Sequence, residues 1–361
     1  MGGYHIAVVG ATGAAGSELL RVLERRSFPV ATLRPVGSTR SQGKSVSFHG
    51  ESIPVEKLDQ SAFEKIDIAF FSAGGDVSRA FVPLACQADA IAIDKSSAFR
   101  MDPRVPLVIP EINGDDVQLH RGVIANPNCT TAVMLMALHP LHKCFGVNRV
   151  IAATYQAVSG SGIRGVEELS RQTKTWAKNQ ELSSRRPAVD APQTSDEAPS
   201  STAAGATNDK LLPGTVFPHP IAFNVLPHVD SFLATGYTKE EAKMQDETRK
   251  IMHLPELRVS ATCVRVPVYR AHSVAVTARF ESPVSIEQAR QVLSTAPGLE
   301  LVDEPRDNAY PMPLSVAGRD NCQVGRLRLD CALDNALCFW VSGDQLLKGA
   351  ALNAVQIAEL L

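Results

Sequence analysis

Short β-branched apolar runs alternate with amphipathic stretches through the first third of the chain. Residues 6–9, 32–36, 67–71, 90–93 and 123–125 read as strands, and residues 18–23, just after the first run, read as part of a helix. That alternation predicts a parallel sheet covered by helices. From Arg149 the texture changes. Longer strand candidates at 150–156, 259–267 and 273–280 are set apart by helices near 165–178 and 239–252, which predicts a second domain of α+β type. The final stretch, 345–361, places Leu346, Leu347, Ala350, Ala351, Ala354, Val355 and Ala358 on one face of a helix of about four to five turns. That face needs an apolar partner, and the exposed side of the N-terminal sheet is the natural one. Residues 183–214 hold Ser, Ala, Pro, Thr and Asp with almost no large apolar side chain, so they are read as a flexible insertion.

With 361 residues and 44% hydrophobic content, the chain has enough apolar material for two cores. Its net charge of −2 is spread without a basic block, which argues against nucleic acid or an anionic membrane as partner and for a small-molecule ligand. The first strand runs straight into a glycine turn and leaves no room for a signal peptide. No apolar run reaches the roughly 18 residues that span a bilayer, so a cytoplasmic location is expected. The seven cysteines are scattered, without a CxxC pair or zinc-like spacing, so neither disulfides nor a metal is expected.

Gly10-Ala11-Thr12-Gly13-Ala14-Ala15-Gly16 follows the first strand and opens a helix. A glycine-rich strand-to-helix turn lets the backbone approach a pyrophosphate and aims helix N–H groups at it. The spacing is GxxGxxG, and a tight turn serving only helix packing has the same look. The second strand ends in Gly37-Ser38-Thr39-Arg40-Ser41, where an acidic residue would ordinarily hold an adenosine ribose. Hydroxyls with a guanidinium suit a 2′-phosphate instead, which favours NADP over NAD. Read alone, Arg40 is more often a solvated loop charge.

Cys129, in Asn126-Pro127-Asn128-Cys129-Thr130-Thr131, lies between a strand and an apolar helical run. A helix start favours thiolate over thiol, and a thiolate attacks an acyl carbon readily. By position alone the residue is either such a nucleophile or a small buried hydrophobe. Gln156 closes a strand that runs into a small-residue loop, Ser159-Gly160-Ser161-Gly162, which offers an amide and backbone donors without bulk. Arg265 and His272 stand seven residues apart, so on one continuous strand they would face opposite sides. A bulge or turn near Pro267 is needed for them to share a site.

Together these segments closely resemble the aspartate-semialdehyde dehydrogenase family. The likeness is carried by GATGAAG at 10–16, STRSQGK at 38–44, FFSAGG at 70–75, DKSSAFRMD at 94–102, PLVIPEIN at 106–113, NPNCTT at 126–131, TYQAVSGSG at 154–162, PIAFNVLPHVD at 220–230, EEAKM at 240–244, ATCVRVPVYRAHS at 261–273 and LLKGAALNAVQIAE at 346–359. The resemblance implies an α/β fold: a Rossmann-like NADP-binding domain, 1–128 with 343–361, plus an α+β catalytic and dimerisation domain, 129–342. It also implies a homodimer. The activity implied is reductive dephosphorylation of β-aspartyl phosphate to aspartate semialdehyde, in the synthesis of lysine, methionine and threonine. Cys129 would be the nucleophile, His272 the general acid/base, and Gln156 the amide that orients the acyl group. Arg265 would hold the substrate α-carboxylate and Glu240 its α-ammonium. Arg100 and Lys243 would take the phosphate, with Asn128 also on the substrate side. On the cofactor side the resemblance adds Ser72, Ala73, Gly74, Ser159, Gly160 and Gln345 to the glycine turn and to Ser38, Thr39, Arg40 and Ser41. At Gln345 the family usually has Asn, one methylene shorter. Two rival readings stand beside this one: an N-acetyl-γ-glutamyl-phosphate reductase, and a non-catalytic relative that keeps the fold for binding or regulation.

Overall fold

The computed structural model describes residues 2–184 and 214–361; the insertion read at 183–214 lies, but for its ends, outside the described residues. Five strands make the core of the first sheet: β1 (Tyr4–Val9), β2 (Val30–Gly37), β6 (Ile68–Phe71), β7 (Ile91–Asp94) and β8 (Val123–Ala125). A short hairpin, β3 (Ser45–Phe48) and β4 (Glu51–Pro54), and a two-residue edge strand, β5 (Glu56–Lys57), escaped the sequence reading. The sheet order is β5-β2-β1-β6-β7-β8 and every pairing is parallel. All four residues of β6 are buried, as a strand covered on both faces requires.

Two apolar clusters cover those faces. One packs Ile6, Val8, Phe70 and Ile93 against helix α1 (Ala14–Arg25), and the other packs Ala7, Val9, Phe71 and Ala92 against helix α2 (Gly75–Gln87). The C-terminal segment joins the first cluster through Leu347, Leu352, Val355 and Ile357, the partner its apolar face required. It is shorter than its periodicity suggested. A π-turn over Leu347–Ala351 leads into an α-helix over Leu352–Ala358 only.

The second sheet has the order β10-β9-β11-β14-β13-β12 and mixed pairing. Its strands are β9 (Val147–Gln156), β10 (Arg258–Arg265), β11 (His272–Phe280), β12 (Leu299–Leu301), β13 (Cys322–Leu329) and β14 (Ala336–Gly343). The last three were not read from sequence, although β14 is almost wholly buried. Burial alternates strictly along most of β10, the mark of a sheet with one open face. The inner face packs on helix α4 (Cys129–Phe145), on α6 (Lys239–Ile251) and on α7 (Ile286–Ser294); α3 (Pro110–Asn113) and α5 (Ile163–Ser184) precede α6 in the chain. The outer face exposes Ile151 and Tyr155, with Tyr155 against Trp340 at 5.0 Å between ring centroids. No described helix is long and apolar enough to cross a membrane.

Candidate active site

Helix α4 starts at the nucleophile candidate. Asn128 is its N-cap, its Oδ1 accepting from the Thr130 and Thr131 N–H groups at 2.9 and 3.1 Å, and Cys129 is the first helical residue. Asn128 is itself clamped. Its backbone N–H donates to Glu247 Oε2 at 2.6 Å and its Nδ2 to Glu240 Oε1 at 2.9 Å. Both carboxylates come from one side of α6, where residues three, four and seven apart share a face. That face reads Glu240, Lys243, Glu247, Lys250. Lys243 joins Glu240 and Asp230, Glu247 also takes Arg100 Nη1 at 2.8 Å, and Lys250 binds the carbonyls of Arg100, Asp102 and Val105. One helix of the second sheet's layer thus fixes the nucleophile's cap and the arginine loop together.

Three strands of the second sheet supply the opposite wall. Arg265 pairs with Gln156 in the β10–β9 ladder, and Ser273 pairs with Tyr155 in the β11–β9 ladder, so the next antiparallel step sets His272 beside Gln156. Neighbours across a sheet share a face. The parity conflict between Arg265 and His272 disappears because they occupy different strands, the chain having turned at 266–271. Gln156 Nε2 reaches Glu240 Oε1 at 3.2 Å. The resulting cleft, about 310 Å³, holds Cys129, Asn128, Arg100, Gln156, Gly160, Glu240, Lys243 and Arg265. It also takes in Lys95, Ser96, Ser97, Asp230 and Gly349, to which the sequence reading gave no role. Glu247 was missed as well, though its seven-residue spacing from Glu240 on a helix was a usable signal.

The surroundings of these groups act on their chemistry. The Cys129 thiol is pushed up, not down: burial comes first and the Glu240 carboxylate second, outweighing Lys95 and Arg100. A helix start alone does not make this thiol a thiolate. His272 is wholly buried, and burial with the Arg265 charge lowers it to about 3, so its ring is neutral near pH 7. Its Nδ1 accepts the Ala157 N–H at 3.0 Å, which leaves the proton on Nε2; that nitrogen has no partner among the described residues. His272 is therefore set to donate from Nε2. It lies behind Gly160, where a Cβ would stand 3.3 Å from Nε2 and 2.7 Å from Arg265 Nη1. Gln345 is turned inward, its Oε1 accepting from the Ala271 N–H and its Nε2 donating to Ser159 Oγ, while Ser159 donates to the Tyr269 carbonyl. Both side chains brace the Ala157–Gly160 turn. Arg100 and Lys243 face the cleft, but each already has a carboxylate partner.

Most of the expected cofactor residues follow β1, β2 and β6, at the same carboxyl edge of the parallel sheet where Lys95 follows β7 and Cys129 follows β8. Gly10 has φ of 84°, and a Cβ there would lie 2.8 Å from the Ser72 carbonyl; at Gly16 it would lie 2.2 Å from the Gly10 carbonyl. The turn closes only with glycine at these two points. The helices α1 and α2 start at N-caps Gly13 and Gly74 with no side-chain capping bond, so their first amides remain available to an anion. Thr12 meets Ser41 at 3.0 Å, while Ser38, Thr39 and Arg40 are exposed. This arrangement suits a dinucleotide whose diphosphate lies on the α1 amides.

Comparison with known proteins gives the family. Residues 5–120 match the semialdehyde dehydrogenase NAD binding domain and residues 138–348 the semialdehyde dehydrogenase dimerisation domain. Aspartate-semialdehyde dehydrogenase of Aquifex aeolicus is 46% identical, over 99% of this chain and 98% of its own length. That of Bacillus subtilis is 44% identical over 99% and 97%. The chain belongs to the aspartate-semialdehyde dehydrogenase family. Aspartate semialdehyde dehydrogenase II from Vibrio cholerae superimposes with a TM-score of 0.86 at 38% identity, covering 99% of this chain and 98% of that one, and has also been solved complexed with ASA. As a member of this family the protein is an oxidoreductase, its first domain belongs to a nicotinamide-binding type, and a homodimer accords with the matched dimerisation domain.

Proposed function

We propose that the enzyme interconverts L-β-aspartyl phosphate and L-aspartate β-semialdehyde through a thioester on Cys129, with NADP as cofactor, in the supply of lysine, methionine and threonine. The observation that carries this reading is the meeting of Cys129 with Arg265 and Glu240 in one cleft. A guanidinium suits an α-carboxylate, and a carboxylate suits an α-ammonium, so the pair selects a free amino acid. An N-acetylated substrate brings no ammonium to Glu240 and leaves that carboxylate to Lys243, 3.3 Å away, which disfavours the N-acetyl-γ-glutamyl rival.

In the reductive direction the Cys129 sulfur attacks the acyl carbon, the phosphate departs past Arg100 and Lys243, and the thioester remains. The nicotinamide, when bound, supplies the hydride that turns this thioester into the aldehyde. Gln156 and the Nε2–H of His272 are the donors on the acyl-oxygen side. For His272 to accept the thiol proton its ring would have to turn and release Ala157. The 2′-phosphate of NADP falls to Ser38, Thr39 and Arg40. Residues 1–128 with 343–361 serve as the nucleotide domain and 129–342 as the catalytic domain, whose outer sheet face, carrying Ile151, Tyr155 and Trp340, joins two copies.

Phosphate-dependent NADP reduction decides the substrate. Aspartate semialdehyde should exceed N-acetylglutamate semialdehyde on the order of a thousandfold in kcat/KM; the opposite preference would sink the assignment. Cys129→Ala should abolish turnover with folding intact, and preserved turnover would remove the covalent mechanism.

A further inference from the structure

The cleft contains four cations, Lys95, Arg100, Lys243 and Arg265. Their partners differ. Arg100 is ion-paired with Glu247, and Lys243 with Asp230 and Glu240. Arg265 donates to the Ala157 carbonyl at 2.7 Å and is the cation allotted to the substrate carboxylate. Lys95 has neither hydrogen bond nor ion pair for its ammonium among the described residues. Its neighbour Asp94 is turned away, with Oδ1 taken by Ser78 Oγ and the Ser96 N–H, and Oδ2 by Ser96 Oγ.

The backbone holds Lys95 in place. Its N–H donates to the Phe71 carbonyl, one strand over, and its own carbonyl accepts Arg100 Nη2 at 2.6 Å. The residue sits directly after β7, at the carboxyl end of the parallel sheet, where the side chain enters the cleft that holds Cys129. Against the cysteine itself, Gly349 of the π-turn approaches so closely that a Cβ there would lie 2.6 Å from Cys129 Cβ. The π-turn is fixed by Lys348, which is buried on Glu111, Asn353 and Gln356. The turn closes on the cysteine, and the Lys95 ammonium shares its cavity.

We propose that Lys95 is the counter-ion of Cys129, the cation that balances the sulfur's negative charge when the thiol ionises. This rests on the reading of Cys129 as nucleophile and adds a residue to which that reading gave no task. The charged groups that bear on the sulfur are Glu240 from α6, Lys95 and Arg100 from the segment after β7, and Arg265 from β10. Glu240 opposes ionisation, and Lys95 precedes Arg100 among the cations that favour it. The coupling is mutual: burial pulls the Lys95 ammonium down, while the charge of an ionised Cys129 holds it up, ahead of any effect of Asp94. Thiolate and ammonium thus stabilise one another in a site that penalises either alone.

The test is the pH dependence of Cys129 alkylation by iodoacetamide in the full-length enzyme, read by mass spectrometry of the Cys129 peptide so that the other six cysteines do not contribute. Lys95→Met and Lys95→Gln should move the midpoint upward by about one pH unit and slow alkylation about tenfold below it. Two neutral replacements are used so that one can fail to fold without removing the test. Lys95→Arg should return the midpoint most of the way, because it restores charge without restoring shape. Midpoints in both neutral variants that match the native enzyme would overturn the proposal. Cys129→Ser turnover is measured in parallel: activity retained there would refute the nucleophile, whereas an unmoved alkylation profile refutes only Lys95.

Discussion

Two helix starts in this protein use the same backbone device and reach different ends. At α1 the N-cap is Gly13, no side chain caps it, and the first amides face outward from a turn that only glycine can close. At α4 the N-cap is Asn128, whose Oδ1 consumes two of the amides, and Cys129 follows at once. The first is an open cradle for a ligand's anion. The second is closed, and its dipole is directed at a side chain of the protein. The dipole is nevertheless insufficient at α4, because burial and Glu240 together push the Cys129 thiol up. A helix start tunes a group only as far as its surroundings leave it the dominant field.

Substitutions at the two starts separate them. The largest effect is expected at Gly16→Ala, whose Cβ would fall 2.2 Å from the Gly10 carbonyl and force the α1 turn open. Dinucleotide affinity, measured by fluorescence titration, should drop about a hundredfold or more, since the amides lose their common aim. Unchanged affinity would show that the α1 start is not the cradle. Asn128→Ala comes next. It removes the α4 cap and strips Glu240 of one donor, and kcat should fall about tenfold to a hundredfold while dinucleotide affinity holds. If affinity fell as far as kcat, the two starts would not be independent. The smallest effect belongs to Arg40→Ala, at the rim of the first site: KM for NADP should rise about tenfold and KM for NAD stay put. An equal rise for both would remove Arg40 from 2′-phosphate recognition.

The five parallel strands around the first site were legible because each is a short apolar run beside a helix or turn signal, as in residues 6–9 before Gly10. The edge pieces β3, β4 and β5 were not, being short and largely exposed. In the second domain β9, β10 and β11 were readable. β13 and β14 were passed over, and nothing local in a run such as Ala336–Gly343 states which sheet it completes. The C-terminal helix was placed correctly on the first sheet but drawn too long: its periodicity runs through the π-turn at Leu347–Ala351, a departure set by the buried Lys348 and by the approach of Gly349 to Cys129.

The sequence by itself determined the chemistry available: a glycine turn after a strand, a cysteine at a helix start, and the amide, guanidinium, imidazole and carboxylate that a phosphorylated amino acid calls for. Those depend on residue type and local spacing, which a one-dimensional pattern carries. Only the tertiary structure decided how the groups are spent. It set Arg265, Gln156 and His272 in one row because three strands lie side by side in register. It tied Arg100 to Glu247, turned Gln345 and Ser159 toward each other, and left the Lys95 ammonium without a partner among the described residues, in the cleft that holds Cys129. Protonation and pairing follow from distance and burial, and those exist only after residues far apart in the chain have been packed together.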